Sequence, residues 1–457
     1  MDDVLSWLDA HETEVLEELF DFLRIPSVSA DPAHARDVGR CAEWLAARCR
    51  EAGLSAEAEA TGGHPAVVAQ WRGAPGAPTV LVYGHYDVQP AEPLDAWSSA
   101  PFEPAVRDGK VVARGVSDDK GQLFCHLAAV RAHLGSRGRL PVNVVFLFEG
   151  EEESGSLHLE PFLRERRERF RCDAVVVSDS SQFAPGVPAL TYGLRGLAYL
   201  ELTLHGPARD LHSGSFGGAV RNPANALAGM VGALHDGAGR VAVPGFYDDV
   251  RPLEAWEREA FAALPFDEDA YRRDLGVECL SGERNYSVLE RVWARPTLDV
   301  NGLWSGYTGE GAKTVLPAVA SAKLSCRLVP DQDPERIAER VEARLRELTP
   351  PGCRLEVRRL HGARPVLVPV ESPAVRAAAE ALRRGFGAAP VFTREGGSIP
   401  VVEAFQRLLG VPVVLLGLGR PDDGAHGPDE KLDLGDFRKG IRASAWLWEL
   451  LGAPGRG

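Results

Sequence analysis

Histidines and acidic residues recur at five points of this sequence, most of them just after a short apolar run. Imidazole nitrogens and carboxylate oxygens are ligands that divalent metal ions accept, and no cysteine lies among them. Each point alone has an ordinary explanation, such as a turn or the cap of a helix. Their recurrence predicts a metal site. The residues are His85 with Asp87, Asp118 with Asp119, the acidic run 149–153, Asp179, and His426.

The number of candidate ligands suits a centre with two metal ions. Two cations about 4 Å apart can share one bridging carboxylate, so three ligands for each ion require five residues in all. We expect two divalent ions, zinc first, although the residues themselves do not choose among zinc, manganese and cobalt. The five predicted ligands are His85, Asp118, Glu153, Asp179 and His426.

Two neighbouring acids have complementary expected roles. Asp87 lies two residues after His85, so its carboxylate can orient the imidazole. In the acidic run 149–153, adjacent residues of an extended segment face different ways. One glutamate can therefore bind a cation while the next accepts a proton from an activated water.

The elements that must position these residues alternate between strand and helix. Such an alternation predicts a mostly parallel sheet flanked by helices, in which the carboxyl ends of the strands carry the site. Two further amphipathic helices are predicted at 4–23 and 38–52. The alternating elements are strands at 79–83, 142–148 and 174–178, with helices at 120–134 and 157–170.

The pattern changes after Leu190, which predicts a second domain inserted into the first. We therefore expect a catalytic domain formed by 1–192 and 386–457 around an inserted α+β domain at 193–385. A strand at 413–416 and a helix at 434–451 return to the first domain. The inserted domain has predicted strands at 197–205, 314–328 and 354–360 and helices at 223–234 and 334–348.

Composition excludes several classes of protein. The chain has 457 residues with 51 Lys+Arg against 65 Asp+Glu, a net charge of −14, so we expect neither a nucleic-acid partner nor a membrane partner. The N-terminus is acidic where a signal peptide is basic, and no apolar run approaches about 20 residues. With seven cysteines that lack CxxC spacing, these features predict a cytoplasmic protein with reduced thiols.

Two other chemistries have little support. The segment 306–314 resembles a phosphate-binding loop, but Ala312 separates the second glycine from Lys313. The sequence also lacks the GxSxG motif of serine hydrolases. Neither nucleotide binding nor a serine nucleophile is expected.

An ordered series of motifs runs along the chain: GHYDVQP, RGVSDDKG, EGEEESGS, VSDS, TYGLRG, DLHSG, SGYTGEGAKTVLP, RLVPDQDPE, TREGGSIP and DDGAH. Together these motifs resemble the dinuclear metallopeptidase and deacylase family over about positions 10 to 450. That family includes carnosine dipeptidase, acetylornithine deacetylase, succinyl-diaminopimelate desuccinylase and carboxypeptidase G, and the carnosine-type dipeptidase branch is the most similar.

The resemblance implies a role for each residue of the metal site. His85, Asp118 and Asp179 would hold one ion, and Asp118, Glu153 and His426 the other. Glu152 matches the general base and Asp87 the acid that orients His85, while the peptide between Asp118 and Asp119 would be cis. At Glu151 the carnosinase-type motif has methionine, so the assignments of Glu152 and Glu153 could shift by one position.

The resemblance also implies roles for residues of the inserted domain. His212 would reach the partner's active site in a homodimer and stabilise the oxyanion. Arg327 would grip the terminal carboxylate of the substrate, because a two-pronged donor suits a carboxylate. Thr314, Gly397 and Ser398 are further candidates for the same task.

The expected activity is metal-dependent hydrolysis of the amide bond of dipeptides or short peptides with a free C-terminal carboxylate. The same centre would serve an N-acyl amino acid deacylase, which a substrate panel distinguishes. A catalytically silent metal-binding protein is the alternative outside enzymology, and it is opposed by the presence of Glu152 and His212 beside the five ligands.

Overall fold

The computed structural model describes residues 1–397 and 399–453. The chain divides into two compact units. Unit 1 comprises Met1–Tyr192, Val368–Thr393 and Val401–Gly457, and unit 2 comprises Gly193–Leu367 and Arg394–Pro400.

Strands and helices follow one another along the chain in nearly the predicted order. The strands are β1 Ser55–Glu59, β2 Ala66–Trp71, β3 Thr79–His85, β4 Ala105–Arg107, β5 Lys110–Val112, β6 Asn143–Glu149, β7 Ala174–Val177, β8 Ala189–Leu194, β9 Gly196–His205, β10 Leu211–His212, β11 Thr297–Ser305, β12 Val315–Leu316, β13 Val319–Leu328, β14 Arg354–Ala363, β15 Val366–Leu367, β16 Val391–Glu395, β17 Val413–Gly417 and β18 Lys431–Asp433. The helices are α1 Asp2–Ala10, α2 Glu12–Leu23, α3 Ala35–Glu51, α4 Lys120–Arg137, α5 Leu159–Glu165, α6 Ser213–Phe216, α7 Pro223–Gly232, α8 Ala255–Ala262, α9 Glu268–Asp274, α10 Val288–Ala294, α11 Pro334–Leu348, α12 Pro373–Phe386, α13 Pro400–Leu409 and α14 Leu434–Gly452.

Unit 1 is built on a large mixed sheet with the order β1-β2-β6-β3-β7-β17-β8. Its centre is parallel, since β3 pairs in parallel with both β6 and β7, and β17 with β7. The strands β2 and β8 join it in the antiparallel sense. The expected α/β fold with parallel strands and flanking helices is confirmed. The central strands are buried on both faces, which explains their continuous apolar sequences.

The N-terminal helix differs from the prediction of one helix at 4–23. Two helices, α1 and α2, meet at His11, whose imidazole stacks on Trp7 at 3.9 Å between ring centroids. The Nδ1 of His11 also lies 2.8 Å from the carbonyl oxygen of Trp7. The apolar periodicity continues across this break, so the sequence pattern did not reveal it.

Unit 2 contains an antiparallel four-stranded sheet with the order β11-β13-β9-β14. One face of this sheet carries the core of the unit, to which α7 and α11 contribute Leu227, Met230, Ile337, Val341 and Leu345. The predicted single strand at 314–328 is divided into β12 and β13. Pro317 lies between the two strands and offers no N–H to a ladder.

The chain leaves unit 2 earlier than the predicted boundary at 385. The helix α12 belongs to unit 1, where it packs against α14. Gly385 allows this close approach, since a Cβ there would lie 2.6 Å from the Cβ of Ala443. The guanidinium of Arg384 lies over Trp446 at 4.3 Å from the ring centroid.

None of the described helices is both long enough and apolar enough to cross a bilayer. Each of the seven cysteines lies within the described residues and is a free thiol.

We expect Gly121→Ala to destabilise the protein by about 1–3 kcal/mol, the usual cost of overpacking a tight site. Gly121 is the second residue of α4, and a Cβ there would lie 2.0 Å from the carbonyl oxygen of Val116. Gly229→Ala in α7 is the matched control, because a Cβ there meets nothing within 4 Å. Thermal unfolding should show a lower Tm for the first variant and an unchanged or higher Tm for the second. Equal Tm values would contradict this reading of α4.

Candidate metal centre

The five predicted ligands come together in unit 1. His85 ends β3, and Asp179 follows the parallel neighbour β7. Glu153 follows β6 on the other side of β3. Because the carboxyl ends of parallel strands share one edge of a sheet, these three side chains lie close together. Asp118 lies in the turn before α4 and His426 in the turn between β17 and β18.

The first group of ligand atoms belongs to His85, Asp118 and Asp179, which all lie within 4.8 Å of one another. The Nε2 of His85 lies 3.0 Å from an oxygen of Asp118 and 3.9 Å from an oxygen of Asp179. The imidazole is fully buried, while the two carboxylates are 19% and 15% exposed. This group therefore faces solvent on its carboxylate side.

The second group belongs to Asp118, Glu153 and His426, also within 4.8 Å. The Nε2 of His426 lies 2.9 Å from the second oxygen of Asp118 and 3.3 Å from Glu153. Asp118 therefore presents one oxygen to each histidine. This is the geometry required of a bridging carboxylate. His426 is exposed and has a positive φ of 64°.

The buried carboxylate of Asp87 joins the two sides of the site. One of its oxygens lies 3.5 Å from the Nδ1 of His85, and its carbonyl oxygen lies 3.1 Å from the same nitrogen. The backbone N–H groups of Glu152 and Glu153 donate to this carboxylate at 3.2 and 3.0 Å. Asp87 thus orients the imidazole and fixes the turn that carries both glutamates.

The residues of the acidic run 149–153 have different partners. Glu151 turns away from the ligands, because it accepts the backbone N–H of His64 at 2.9 Å and lies 2.9 Å from the Nδ1 of His158. Gly63 is needed beside it, since a Cβ there would lie 1.8 Å from the Glu151 carboxylate. Glu153 is the acid that reaches the ligand group.

Glu430, which is not among the predicted site residues, supports the Asp118 turn. Its buried carboxylate accepts the backbone N–H groups of Gly115, Ser117 and Asp118 at 2.8, 2.8 and 3.1 Å. It also accepts from the guanidinium of Arg114 at 2.8 Å. The only sequence signal was its position four residues after His426, which does not reveal a partner in another segment.

A second missed residue is Gln89, in the loop after β3. Its side-chain amide donates to the Glu153 carboxylate at 2.7 Å, which holds that ligand in place. The peptide between Asp118 and Asp119 is cis, as the family resemblance implies.

Burial and mutual repulsion dominate the electrostatics of the site. Burial raises the pKa of Glu152 to about 9, with the nearby carboxylates of Asp179 and Glu153 adding to the effect and His85 opposing it. Hydrogen bonds to Asp118 and Glu153 raise the pKa of His426 to about 10. Burial lowers the pKa of His85, but the acids around it outweigh burial and hold the pKa well above its usual value.

The residues of the site fit two divalent cations. Four carboxylates, those of Asp118, Glu152, Glu153 and Asp179, interact at the edge of the sheet. Crowded carboxylates repel one another, and a divalent cation relieves that repulsion. The donor atoms are imidazole nitrogens and carboxylate oxygens, which suit zinc, manganese or cobalt.

The remaining predicted residues that the structure describes lie in unit 2. His212 is exposed at the end of β10, next to the exposed Thr314, whose carbonyl oxygen accepts the N–H of Ser213 at 3.1 Å. The Nδ1 of His212 accepts the N–H of Gly214 at 3.1 Å, so in the neutral ring the proton is on Nε2. Arg327 is half-buried in β13 and Gly397 is exposed. Ser398 lies outside the described residues.

Comparison with known proteins identifies the family. The family model described as Peptidase family M20/M25/M40 matches residues 81–449. The Cys-Gly metallodipeptidase DUG1 of Saccharomyces cerevisiae is 34% identical over 465 residues, with 97% of this chain and 96% of the relative covered. The Beta-Ala-His dipeptidase of Homo sapiens is 31% identical over 466 residues, with 97% and 91% covered.

A solved structure shows a similar fold over nearly the whole chain. The metallo-carboxypeptidase Sso-CP2 from Sulfolobus solfataricus has a TM-score of 0.85 and 35% identity to this chain. The match covers 96% of this chain and 99% of that one.

We expect Asp87→Ala to weaken metal binding by about 10- to 100-fold, the usual effect of removing a partner that orients metal ligands. The variant removes the acceptor of the Glu152 and Glu153 N–H groups and the acid beside His85. Competition with a chromophoric chelator measures the affinity. Asp95→Ala, an exposed acid in the following loop, is the control. Equal affinities for the two variants would show that Asp87 does not organise the ligands.

Proposed function

The chain belongs to peptidase family M20/M25/M40, and from this premise we propose that it is a metallodipeptidase. It hydrolyses an amide bond of its substrates, which are dipeptides or short peptides with a free C-terminal carboxylate. The observation that supports this most strongly is the pair of ligand groups that share Asp118. The relatives named Cys-Gly metallodipeptidase and Beta-Ala-His dipeptidase favour peptide substrates over the N-acyl amino acids of a deacylase.

Two divalent metal ions, zinc first with manganese or cobalt as alternatives, would occupy the centre. His85, Asp118 and Asp179 would hold one ion, and Asp118, Glu153 and His426 the other. When bound, the ions lower the pKa of water and polarise the carbonyl group of the substrate.

Glu152 acts as the general base and then as the general acid. It follows the strand that carries the site and lies next to the ligand Glu153. Its carboxylate takes the proton from the attacking water and returns it to the leaving amine. Asp87 positions Glu152 by accepting the backbone N–H of that residue.

Residues of unit 2 bind the substrate and stabilise the transition state. Arg327 binds the terminal carboxylate through its planar fork, assisted by Thr314, Gly397 and Ser398. His212 donates its Nε2 proton to the developing oxyanion, and the bond from the Gly214 N–H to Nδ1 supports the required tautomer.

The protein acts as a homodimer in which His212 serves the active site of the partner. The strand β11 lies at the edge of the unit 2 sheet and exposes the side chains of Val300, Leu303 and Trp304 by 40, 52 and 44%. An apolar edge strand of this kind favours pairing with a second chain. A second copy of β11 is the proposed occupant.

The cytoplasm is the proposed compartment. Cys41, Cys49, Cys125 and Cys326 are buried free thiols, which persist in a reducing environment.

Replacing Glu152 by Gln should lower kcat by about 100- to 10,000-fold without changing the metal content, because the variant cannot carry the proton. Turnover is measured on dipeptides after loading with zinc, manganese or cobalt, and the metal by elemental analysis. Glu151→Gln is the matched control, since its amide oxygen still accepts the His64 N–H.

Three outcomes would contradict parts of the proposal. Unchanged turnover in Glu152→Gln would remove the proposed base. Hydrolysis of N-acyl amino acids but not of dipeptides would move the protein to the deacylases. Metal binding without any hydrolysis would favour a catalytically silent protein.

Mixing two inactive variants tests the role of His212 across a dimer. Glu152→Gln and His212→Ala should each be inactive, but mixed dimers contain one site with both Glu152 and a partner's His212. Random exchange makes about half of the dimers mixed, so we expect roughly a quarter of wild-type activity. If mass spectrometry shows that the subunits exchange but activity does not return, His212 does not act in the partner's site.

A further inference from the structure

Arg195, in the TYGLRG motif, lies outside the metal centre and has no part in the proton transfer. It belongs to unit 2, just before β9. It is half-buried, although arginine is among the side chains that most rarely leave solvent. Its contacts lie in the part of unit 2 that carries the residues proposed to bind the substrate carboxylate.

The first of these contacts is with the segment that contains Gly396 and Gly397. The backbone N–H of Arg195 donates to the carbonyl oxygen of Glu395 at 3.1 Å. Its Nε donates to the carbonyl oxygen of Gly396 at 3.2 Å. A Cβ on Gly396 would lie 2.7 Å from an Nη atom of Arg195, so the backbone of Gly396 packs closely against the guanidinium.

The second neighbour is Arg327. In the antiparallel pair of β9 and β13, Leu197 lies opposite Arg327 and Gly196 lies opposite Leu328. Arg195 therefore lies two residues before the strand position that faces Arg327. On the other side, Thr297 of β11 pairs with Arg327.

Arg195 and Arg327 carry like charges that act on each other. Burial, together with the positive charge of Arg327, lowers the pKa of Arg195 to about 10, and Asp299 opposes the effect. Two guanidinium groups that repel each other bind a carboxylate more strongly, because the anion interacts with both.

We infer that Arg195 is a specificity-determining residue, which holds the Gly396–Gly397 segment beside Arg327 and so completes a binding surface for the free carboxylate of the substrate. This inference rests on the proposed function, in which Arg327 binds that carboxylate. The ligand class is a peptide with an unmodified C-terminal carboxylate. Peptides that end in an amide or an ester lack the negative charge that this surface recognises.

The test compares a dipeptide with its C-terminal amide as substrates of the metal-loaded enzyme. Arg195→Gln should raise KM for the free dipeptide about tenfold, which corresponds to one lost charge-assisted hydrogen bond. The kcat should change by less than about threefold, and the slow hydrolysis of the amide should be unaffected. Arg195→Lys keeps the charge but loses the planar fork, so it should recover part of the loss.

Arg358→Gln is the matched control, because that exposed arginine of β14 pairs with Glu201 at 2.9 Å and lies in the same unit. It should leave both KM values unchanged. Equal losses on the free dipeptide and on the amide would mean that Arg195 only supports the fold, and an unchanged KM would also overturn the inference. If the wild-type protein hydrolyses neither substrate, the proposed function and this inference both fail. If the wild-type protein is active but Arg195→Gln leaves its KM unchanged, this inference alone fails.

Discussion

The rest of the site depends on the position of the Asp118 carboxylate. One of its oxygens lies 3.0 Å from the Nε2 of His85, and the other lies 2.9 Å from the Nε2 of His426. A carboxylate shared in this way has no freedom to rotate without losing one partner. The turn that carries Asp118 is fixed by Glu430, which accepts the backbone N–H groups of Gly115, Ser117 and Asp118. Glu430 is itself paired with Arg114. A buried charge pair of this kind is costly to break, so it specifies the turn firmly.

The fold gives different partners to the acids of the run 149–153. Glu149 is buried and hydrogen-bonded to Tyr83 and Ser156, and Glu151 holds the loop at His64. These two acids have polar partners of their own. Glu152 and Glu153 are left facing the ligand groups, with their N–H groups held by Asp87. The same residue type therefore has polar partners away from the site at two positions and faces the ligand groups at the next two.

Unit 2 contributes a different kind of organisation, in which a sheet presents charged side chains opposite its apolar core. Along β9 buried and half-buried residues alternate, so one face packs on α7 and α11 while the other stays polar. Arg327 lies on the less buried positions of β13. Apolar packing and charged side chains are thus separated between the two faces of one sheet.

Local patterns in the sequence predicted the fold class, the parallel strands β3, β6 and β7, and the residues that gather at their ends. These features depend on local apolar runs and on the rule that parallel strands end at one edge. The sequence did not reveal the break at His11, the return of the chain at Val368, or the roles of Glu430 and Gln89. The break at His11 is local, but the other features arise from contacts between distant segments, and Glu430 reaches Asp118 across 312 positions. Such contacts form only when the chain packs, because the partner of a buried charge is set by packing rather than by local pattern.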